Sequence, residues 1–427
     1  MWQNVNSYLV IYLHCEITAV IFCCYSRIEF ALKSLLCLIC CSLFVFFVST
    51  HSAMAQSPLI IWMSTQQSVS GVKTIAKRFE RASGIKVIVQ TPLFMDAKFP
   101  LFAPNGNGPD IILTYHHQIG LWASHGLLAN TEFSASSFAK YVPLAINSLK
   151  YRNQYYGYPL GIEVLSLAYN KNLVSNPPSS WYEMQYWQKI LSRQGKKSLV
   201  WDYHDTELSF PFLSAYGAYS FAHSGFTFNG NHSGLTAANA SRGIDFIRAL
   251  LAQQWLPNEV NQEQIEREFR QQQQAMMLVK PQQWQSLKQL GFQVGLSAIP
   301  LINGESPKPF INVYSALINQ YSTQKDIADY FITNYLTTEQ GLASLDKHVS
   351  LGVPAYIPYL NQVASNPWIQ VSFTSLKYGQ LTPNIPEISR FFKVMEGVWS
   401  QLSSHRPSAD ILLDAERKLL PAKAELP

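Results

Sequence analysis

LIIWMSTQQSVSGVKTIAKRFERASGIKVIV, residues 59 to 89, is the stretch from which the architecture of this chain can be worked out. It begins with an apolar run, Leu59 to Trp62, that has the length of a buried strand. Apolar residues then recur at helical spacing from Val72 to Ser83, and Gly84 is a typical helix stop. Another apolar run, Ile85 to Val89, follows directly. This succession predicts a βαβ unit, in which two parallel strands share one sheet.

Strands and helices alternate through the remainder of the chain, which predicts the α/β class. At 427 residues the chain is too long for one ordinary hydrophobic core, so two domains are expected. Further strands are predicted at Asp110 to Leu113, Val164 to Tyr169, Ala275 to Val279 and Phe310 to Asn319. Helices are predicted after Ser180, at Ile244 to Leu251, around Ile265 and Phe269, and at Lys325 to Leu336.

The composition argues against a nucleic-acid partner. The charged fraction is 14% and the net charge is only +5. The sequence contains no block or stripe of Lys and Arg, so the electrostatic attraction on which nucleic-acid binding depends is missing. The hydrophobic fraction is 48%, and its excess lies at the front of the chain.

Residues 1–55 are predicted to be a signal peptide with an N-terminal extension. No Lys, Arg, Asp or Glu occurs between Lys33 and Lys73. In that interval LLCLICCSLFVFFV, residues 35–48, has the length of a secretory apolar region and is shorter than a membrane span. A small-x-small sequence ends at Ala55, which predicts cleavage there and export to the periplasm. The alternative is an uncleaved segment that serves as a membrane anchor.

Cysteine usage agrees with export. Every cysteine precedes the predicted cleavage site, so the exported chain cannot form wrong disulfides in an oxidising compartment. Thiolate catalysis and Cys-based metal sites are thereby excluded for the exported chain. The six cysteines are Cys15, Cys23, Cys24, Cys37, Cys40 and Cys41.

Several blocks of the sequence resemble one known family. They are FERASGIKVIV (residues 79–89), GPDII (108–112), YPLGIEVLSLAYNKNLVSNPPSSW (158–181), KPFINVYSALIN (308–319) and TPNIPEIS (382–389). The chain resembles the maltose-binding protein group, which are periplasmic solute-binding proteins of ABC importers. The resemblance extends from Leu59 to Ala415, and blocks spread over this length are far more specific than a single short motif.

The resemblance implies two lobes, each a mostly parallel sheet flanked by helices, joined by a hinge of three crossings. A sugar or oligosaccharide would bind between the lobes, closure about the hinge would trap it, and the closed monomer would dock on the membrane subunits of the importer. Members of this family can also serve a chemoreceptor or sensor. The implied ranges are 56–161 with 316–365 for lobe 1, 162–165, 310–315 and 366–368 for the hinge, and 166–309 with 368–427 for lobe 2.

The aromatic residues with which this family stacks on sugar rings are mostly replaced. A Trp after GPDII becomes Thr114, a Tyr becomes Glu207, and the Trp of a Gly-Pro-Trp sequence becomes Gln282. The fourth stacking position is Phe392, which is the only one of the four that stays aromatic. Trp284 lies two residues after Gln282, so it is offset from the stacking position there. Since a stacked aromatic pair contributes on the order of 1 kcal/mol, we expect weakened binding of maltose.

The polar sugar contacts implied by the resemblance have changed as well. Ser64, Gln66 and Gln67 stand where the family has Asn, Asp and Lys, and His117 and Gln118 stand where it has Asp and Arg. These side chains can still hydrogen-bond a ligand's hydroxyl groups, because a buried polar group needs a partner. The ligand is therefore expected to be polar and to differ from maltose.

Acidic side chains accumulate at the implied site. Glu163 is retained in the first hinge crossing, Asp205 takes the place of a Glu, and Glu396 takes the place of an Arg, with Asp96 and Glu207 nearby. This excess favours a ligand with positive charge, such as an amino sugar, or a neutral sugar with many donors. The alternative is that these acids are solvated rim residues around a neutral oligosaccharide.

A metal-binding protein and an enzyme are the two alternatives to a sugar-binding protein. His116 and His117, or His204 with Glu207, could ligate a metal, but neighbouring residues on a strand point to opposite faces. An enzyme is disfavoured because GxSxG, HExxH and Walker A sequences are absent. Glu163 with Asp205 or Glu207 could hydrolyse a glycoside only if the carboxylates acted as an acid–base pair. The prediction is a binding protein without catalytic residues, metal or cofactor.

Overall fold

The computed structural model describes residues 57–420, and the predicted signal peptide, residues 1–55, lies outside them. The strands in chain order are β1 (Leu59–Met63), β2 (Val87–Gln90), β3 (Ile111–Tyr115), β4 (Lys150–Tyr151), β5 (Gln154–Tyr155), β6 (Tyr158–Val164), β7 (Ser166–Asn170), β8 (Lys197–Leu199), β9 (Ala222–Ser224), β10 (Thr227–Asn229), β11 (Gln274–Val279), β12 (Val294–Ser297), β13 (Phe310–Ile318), β14 (Val353–Pro354) and β15 (Gln380–Leu381).

The α-helices lie between and after these strands. They are α1 (Val69–Ser83), α2 (Met95–Phe102), α3 (Ile119–Ser124), α4 (Ala135–Phe138), α5 (Pro143–Ser148), α6 (Trp181–Ser192), α7 (Thr206–Ser214), α8 (Ser241–Ala252), α9 (Gln262–Arg270), α10 (Trp284–Lys288), α11 (Lys325–Phe331), α12 (Glu339–Asp346), α13 (Ile357–Val363), α14 (Pro367–Leu376), α15 (Ile388–Trp399) and α16 (Ser408–Leu419). No helix within residues 57–420 is both long and apolar enough to cross a membrane.

The first sheet contains the predicted βαβ unit. Its strands lie in the order β14-β6-β13-β3-β1-β2, and β15 pairs with β13. Strand β1 is parallel to both β2 and β3, with Leu59 opposite Val87 and Ile61 opposite Ile111. The α/β prediction is confirmed, although helix α1 begins at Val69, before the predicted Val72.

The second sheet has the order β12-β7-β11-β8 and starts immediately after the first. The predicted single strand from Val164 to Tyr169 is wrong, because β6 ends at Val164 and β7 begins at Ser166. Leu165 separates them, and the two strands belong to different sheets. The sequence VLSLAY is apolar on both sides of this break, so its pattern gave no sign of it.

Both sheets are mixed rather than mostly parallel. Strand β13 pairs antiparallel with β3 and with β6, and β7 pairs antiparallel with β11 and with β12. With Leu165 as the only residue between them, β7 cannot lie as a parallel neighbour of β6, and it belongs to the other sheet. The lobe and hinge boundaries implied by the resemblance stay a prediction.

The hydrophobic core lies on both faces of the first sheet. Helix α1 buries Val72, Ile75 and Phe79 on one face, because these residues share one side of the helix. Phe79 meets Phe331 edge to face with ring centroids 5.3 Å apart. On the other face Trp122 starts a core that continues into the second sheet. This shared core lies next to the strand ends of both sheets where the candidate site is found.

Candidate functional site

Glu163 on β6 is at the centre of the candidate site. Its side chain is only 4% exposed. The hydroxyl of Tyr115, at the end of β3, donates to Oε2 of Glu163 at 2.9 Å, and Nε2 of Gln282 donates to the same oxygen at 2.5 Å. Burial raises the pKa of Glu163 to about 7, although these two hydrogen bonds oppose the rise. The carboxyl group therefore changes charge near neutral pH.

Tyr115 joins three polar side chains that are distant in the sequence. Its hydroxyl donates to Glu163 and accepts from Nε2 of Gln67 at 2.9 Å and from Nε2 of Gln282 at 2.5 Å. Gln67 follows β1 of the first sheet, whereas Gln282 follows β11 of the second sheet. This hydrogen-bond network, formed by Gln67, Tyr115, Glu163 and Gln282 and called the bridging network below, connects the two sheets directly.

An ion pair between Glu207 and Lys280 lies beside the bridging network. Nδ2 of Asn312 on β13 donates to Oε1 of Glu207 at 2.7 Å. Burial alone would raise the pKa of Glu207, but Lys280 and the Asn312 hydrogen bond hold that pKa below its usual value. Burial would likewise lower the pKa of Lys280, but Glu207 and Asp205 raise it. Both groups are charged at neutral pH.

Asp205 caps the N-terminus of helix α7. Its Oδ1 accepts from the backbone N–H of Glu207 at 2.7 Å and of Leu208 at 3.3 Å. Burial raises the pKa of Asp205, which Lys280 opposes. An Asp at this position satisfies backbone donors that a helix start leaves free. Asp205 therefore stabilises the start of helix α7, in addition to the role in ligand binding that the sequence predicted for it.

The two neighbouring histidines have different surroundings. Both lie in a 3-10 turn, residues 116–118, that directly follows β3, so the alternation of side chains along a strand does not apply to them. His116 is fully buried, accepts at Nδ1 from Val313 N–H at 3.0 Å, and has Nε2 at 2.8 Å from the carbonyl of Thr382. Burial lowers the pKa of His116 to about 3. Both ring nitrogens are used, so this neutral ring has none left for a metal.

His117 faces the candidate site. Its ring stacks on Tyr115 with centroids 5.9 Å apart at 15°, and it lies 6.3 Å from the ring of Phe392. Burial lowers the pKa of His117, although the Glu207 and Asp96 charges raise it. Nδ1 of His117 is buried and has no hydrogen-bond partner. This nitrogen can therefore accept from or donate to a ligand.

Asp96, Thr114 and Gln118 form a second group at the rim. Asp96 lies on α2 and accepts from Thr114 Oγ1 at 3.4 Å and from Gln118 Nε2 at 3.3 Å. Asp96 is exposed, whereas Thr114 is buried. The carboxylate of Asp96 is thus held at the surface of the site, where a ligand can reach it.

Four predicted positions are not joined to this cluster. Trp284 is fully buried and packs edge to face on Trp368 at 5.7 Å, so it is a core residue. Glu396 is exposed on helix α15, and Gln66 is exposed beside Ser64, whose Oγ accepts from its backbone N–H at 3.2 Å. None of these contacts supports the prediction that these four residues bind the ligand.

The site keeps unsatisfied polar atoms and little free space. Oε1 of Glu163, Oε1 of Gln282 and the hydroxyl of Tyr314 are buried without a hydrogen-bond partner. Glu163, Glu207 and Lys280 line a cavity of about 10 Å³, which is about the room that one water needs. Buried polar atoms without partners are costly, so this arrangement is suited to a ligand that supplies the missing hydrogen bonds.

A larger cavity of about 280 Å³ lies elsewhere. Proline residues line much of it, including Pro177, Pro300 and Pro309, and no charged side chain reaches it. Recognition of a polar ligand needs convergent polar groups. The smaller space at Glu163 has such groups, and we therefore place the candidate site there.

Sequence reasoning missed Tyr115, Lys280 and Asn312. Lys280 could have been found, because it directly precedes Pro281 and so replaces the glycine of the implied Gly-Pro-Trp sequence. Tyr115 and Asn312 lie within apolar strands, where nothing in the pattern separates a site residue from a core residue. Within residues 57–420 no group of three His, Cys, Asp or Glu side chains is placed to hold a metal ion.

Two adjoining mixed sheets with a buried polar cluster between their strand ends define a ligand-binding protein. Residues 74–374 match the family described as bacterial extracellular solute-binding protein. This match covers more than half of the chain, and the chain belongs to that family. The resemblance found in the sequence is thus confirmed.

Relatives cover most of the chain at low identity. The chain is 23% identical over 383 residues to the galactooligosaccharide-binding protein of Bacillus subtilis (strain 168), covering 86% of this chain and 89% of the relative. It is 23% identical over 370 residues to the maltotriose-binding protein of Pyrococcus abyssi, covering 83% and 79%. It is 22% identical over 381 residues to a maltodextrin-binding protein of Bacillus subtilis, covering 84% and 89%.

Proposed function

We propose that this protein captures an oligosaccharide between its two sheets and delivers it to the membrane subunits of an ABC importer. The bridging network carries this proposal, because it places buried, incompletely satisfied polar groups of both sheets against one another. A sugar offers several hydroxyl groups, and each can donate and accept. The relatives that bind galacto- and malto-oligosaccharides support the same ligand class.

The site chemistry favours a specificity different from that of a ring-stacking maltose site. The resemblance implies aromatic residues at the positions of Glu207 and Gln282 and a glycine at the position of Lys280. In this chain the three side chains offer charge and hydrogen bonds instead. Phe392 and His117 supply the remaining ring surfaces. We propose that hydrogen bonding to hydroxyl groups contributes more to recognition than ring stacking does.

Capture without turnover in the periplasm completes the proposal. The family and its named relatives are binding proteins. Glu163 and Glu207, the acids that a glycosidase would need, are already bonded to Tyr115 and Gln282 or to Lys280 and Asn312. A sugar incubated with the protein is expected to be recovered unchanged.

The proposal is tested by thermal unfolding of the purified protein against a panel of saccharides. The panel contains maltose, maltotriose, galacto-oligosaccharides and glucosamine oligomers, with sodium chloride as the ionic control. A ligand at a hundred times its dissociation constant stabilises the folded state by about 2.7 kcal/mol, which raises the midpoint measurably. Calorimetry then gives the affinity of each hit. A panel without any stabilising saccharide would overturn the proposal.

A further inference from the structure

The cavity of about 280 Å³ lies where the chain passes between the two sheets. Leu165, the one residue between β6 and β7, lines this cavity, and so does Pro309, which directly precedes β13. In both places the chain leaves one sheet and enters the other. We propose that this cavity, called the apolar cavity below, is a second binding site, for an uncharged and mainly apolar molecule of about one ring that carries a hydroxyl group.

Proline residues make much of the wall of the apolar cavity rigid. Those that line it are Pro177, Pro178, Pro300, Pro307 and Pro309. The proline ring fixes the backbone φ angle, so these segments have little freedom to collapse into the space. Proline also lacks an N–H group, so none of these five positions adds a backbone donor to the wall. The apolar cavity is therefore expected to be preformed, as sites for small molecules usually are.

Two serine hydroxyl groups supply polar points in this wall. Ser297 ends strand β12, Ser375 lies on helix α14, which packs against β12, and both residues line the apolar cavity. Within residues 57–420 the Oγ atom of each serine is buried and has no hydrogen-bond partner. A buried hydroxyl group without a partner is costly, and a serine hydroxyl can both donate and accept. A ligand hydroxyl group can therefore pair with either serine.

The wall disfavours charged ligands and limits the size of the ligand. No Asp, Glu, Lys, Arg or His is among the described residues that line the apolar cavity. An ion that leaves water for such surroundings loses its hydration without gaining a partner. An apolar cavity of roughly 150 Å³ is large enough for benzene, so about 280 Å³ accommodates one substituted ring. Leu301 is 39% exposed and Tyr378 is 50% exposed, so part of the wall faces solvent and a ligand can enter there.

The apolar cavity is separate from the candidate site at Glu163. Leu165 is the one residue that lines both the apolar cavity and the small cavity beside Glu163. Ser297, Ser375 and Ala298 line the apolar cavity only. Changes at these three positions can therefore test the second site while the polar groups around Glu163 keep their own partners. The apolar cavity can bind its ligand whether or not the proposed function holds, so either proposal can fail alone.

Calorimetry with three probes of similar size tests the second site. 4-Methylphenol carries a hydroxyl group, p-xylene has a methyl group in its place, and 4-methylbenzoate has a charged group there. Ala298→Leu adds apolar volume in the wall, and the double variant Ser297→Ala with Ser375→Ala removes both hydroxyl groups. Ser372→Ala is the matched control, because Oγ of Ser372 on the same helix α14 is also buried without a partner within residues 57–420, but Ser372 does not line the cavity. Circular dichroism confirms that each variant is folded.

4-Methylphenol is expected to bind the wild type and Ser372→Ala equally, and 4-methylbenzoate is expected not to bind. The double serine variant should bind 4-methylphenol roughly fivefold more weakly, which corresponds to the loss of one hydrogen bond, and should bind p-xylene as the wild type does. Ala298→Leu should weaken the binding of both neutral probes by about tenfold or more.

Two results would contradict the assignment of the apolar cavity as a binding site. One is the absence of 4-methylphenol binding to the wild type, and the other is an unchanged affinity for this probe in a folded Ala298→Leu variant. Equal affinities of the double serine variant and Ser372→Ala for 4-methylphenol would overturn the preference for a hydroxyl-bearing ligand. Saccharide binding at Glu163 is measured separately, and none of these results depends on it.

Discussion

Replacement of Glu163 by Gln is expected to remove a pH dependence of the free energy of unfolding. Burial raises the pKa of Glu163 from 4.5 to about 7 in the folded protein. Between these values the folded state holds a proton that the unfolded state has lost. The free energy of unfolding therefore falls as the pH rises from 4.5 through 7, and it is constant above that range.

The magnitude follows from the difference between the two pKa values. Multiplying the difference between about 7 and 4.5 by 1.36 kcal/mol per pH unit gives about 3 kcal/mol. Glu163→Gln keeps an oxygen that can accept from Tyr115 and Gln282, because Gln has the same shape as protonated Glu. The variant should therefore preserve the network and lose only the titration.

Urea unfolding followed by tryptophan fluorescence measures the effect. The free energies of unfolding of the wild type and of Glu163→Gln are determined at pH 5, 6, 7 and 8, and their difference is plotted against pH. Other titrating groups are common to both proteins and cancel in the difference. The variant should gain on the wild type as the pH rises. Parallel curves for the two proteins would refute the reasoning.

Two further changes test the charges around Glu163. Lys280→Met leaves Glu207 in the site without its cation. Because the pair is partly buried, the variant should lower the free energy of unfolding at pH 7 by about 2 kcal/mol. Chemical denaturation measures this free energy, and a variant as stable as the wild type would contradict the prediction. His116→Asn removes a base whose pKa burial lowers from 6.5 to about 3. The wild type should lose about 1.4 kcal/mol per pH unit below pH 6.5, because only its unfolded state binds the proton, and the variant should not. Equal acid sensitivity in denaturant titrations would rule out this role for His116.

Much of the fold could be predicted because its elements are local. The strand that begins at Leu59, the helix that ends at Ser83 and the stop at Gly84 follow from residue spacing, although the helix begins at Val69 and not at the predicted Val72. The break at Leu165 could not be predicted in this way. Two buried strands that follow each other directly have the same apolar pattern as one long strand, and only their partners in different sheets distinguish them.

The candidate site could be predicted in part, because the resemblance implied Glu163, His117 and Gln282 as site residues, and the structure brings Glu163 and Gln282 into direct contact. The pairing of Glu207 with Lys280 depends on tertiary contact between segments 73 residues apart in the sequence. The pKa of Glu163 depends on its burial beneath other segments. Neither property is encoded in the local pattern of residues.

The changes at Glu207, Lys280 and Gln282 form one set rather than three independent losses. Glu207 without Lys280 would be a partly buried carboxylate that keeps the Asn312 hydrogen bond but loses its ion pair, and Lys280 without Glu207 would lose the same ion pair. Gln282 in turn bonds Glu163, whose second oxygen has no partner. An aromatic residue at position 282 alone would leave the Glu207–Lys280 ion pair in the site. It would also leave Thr114 and Glu207 at the other two positions where the resemblance implies a stacking aromatic residue.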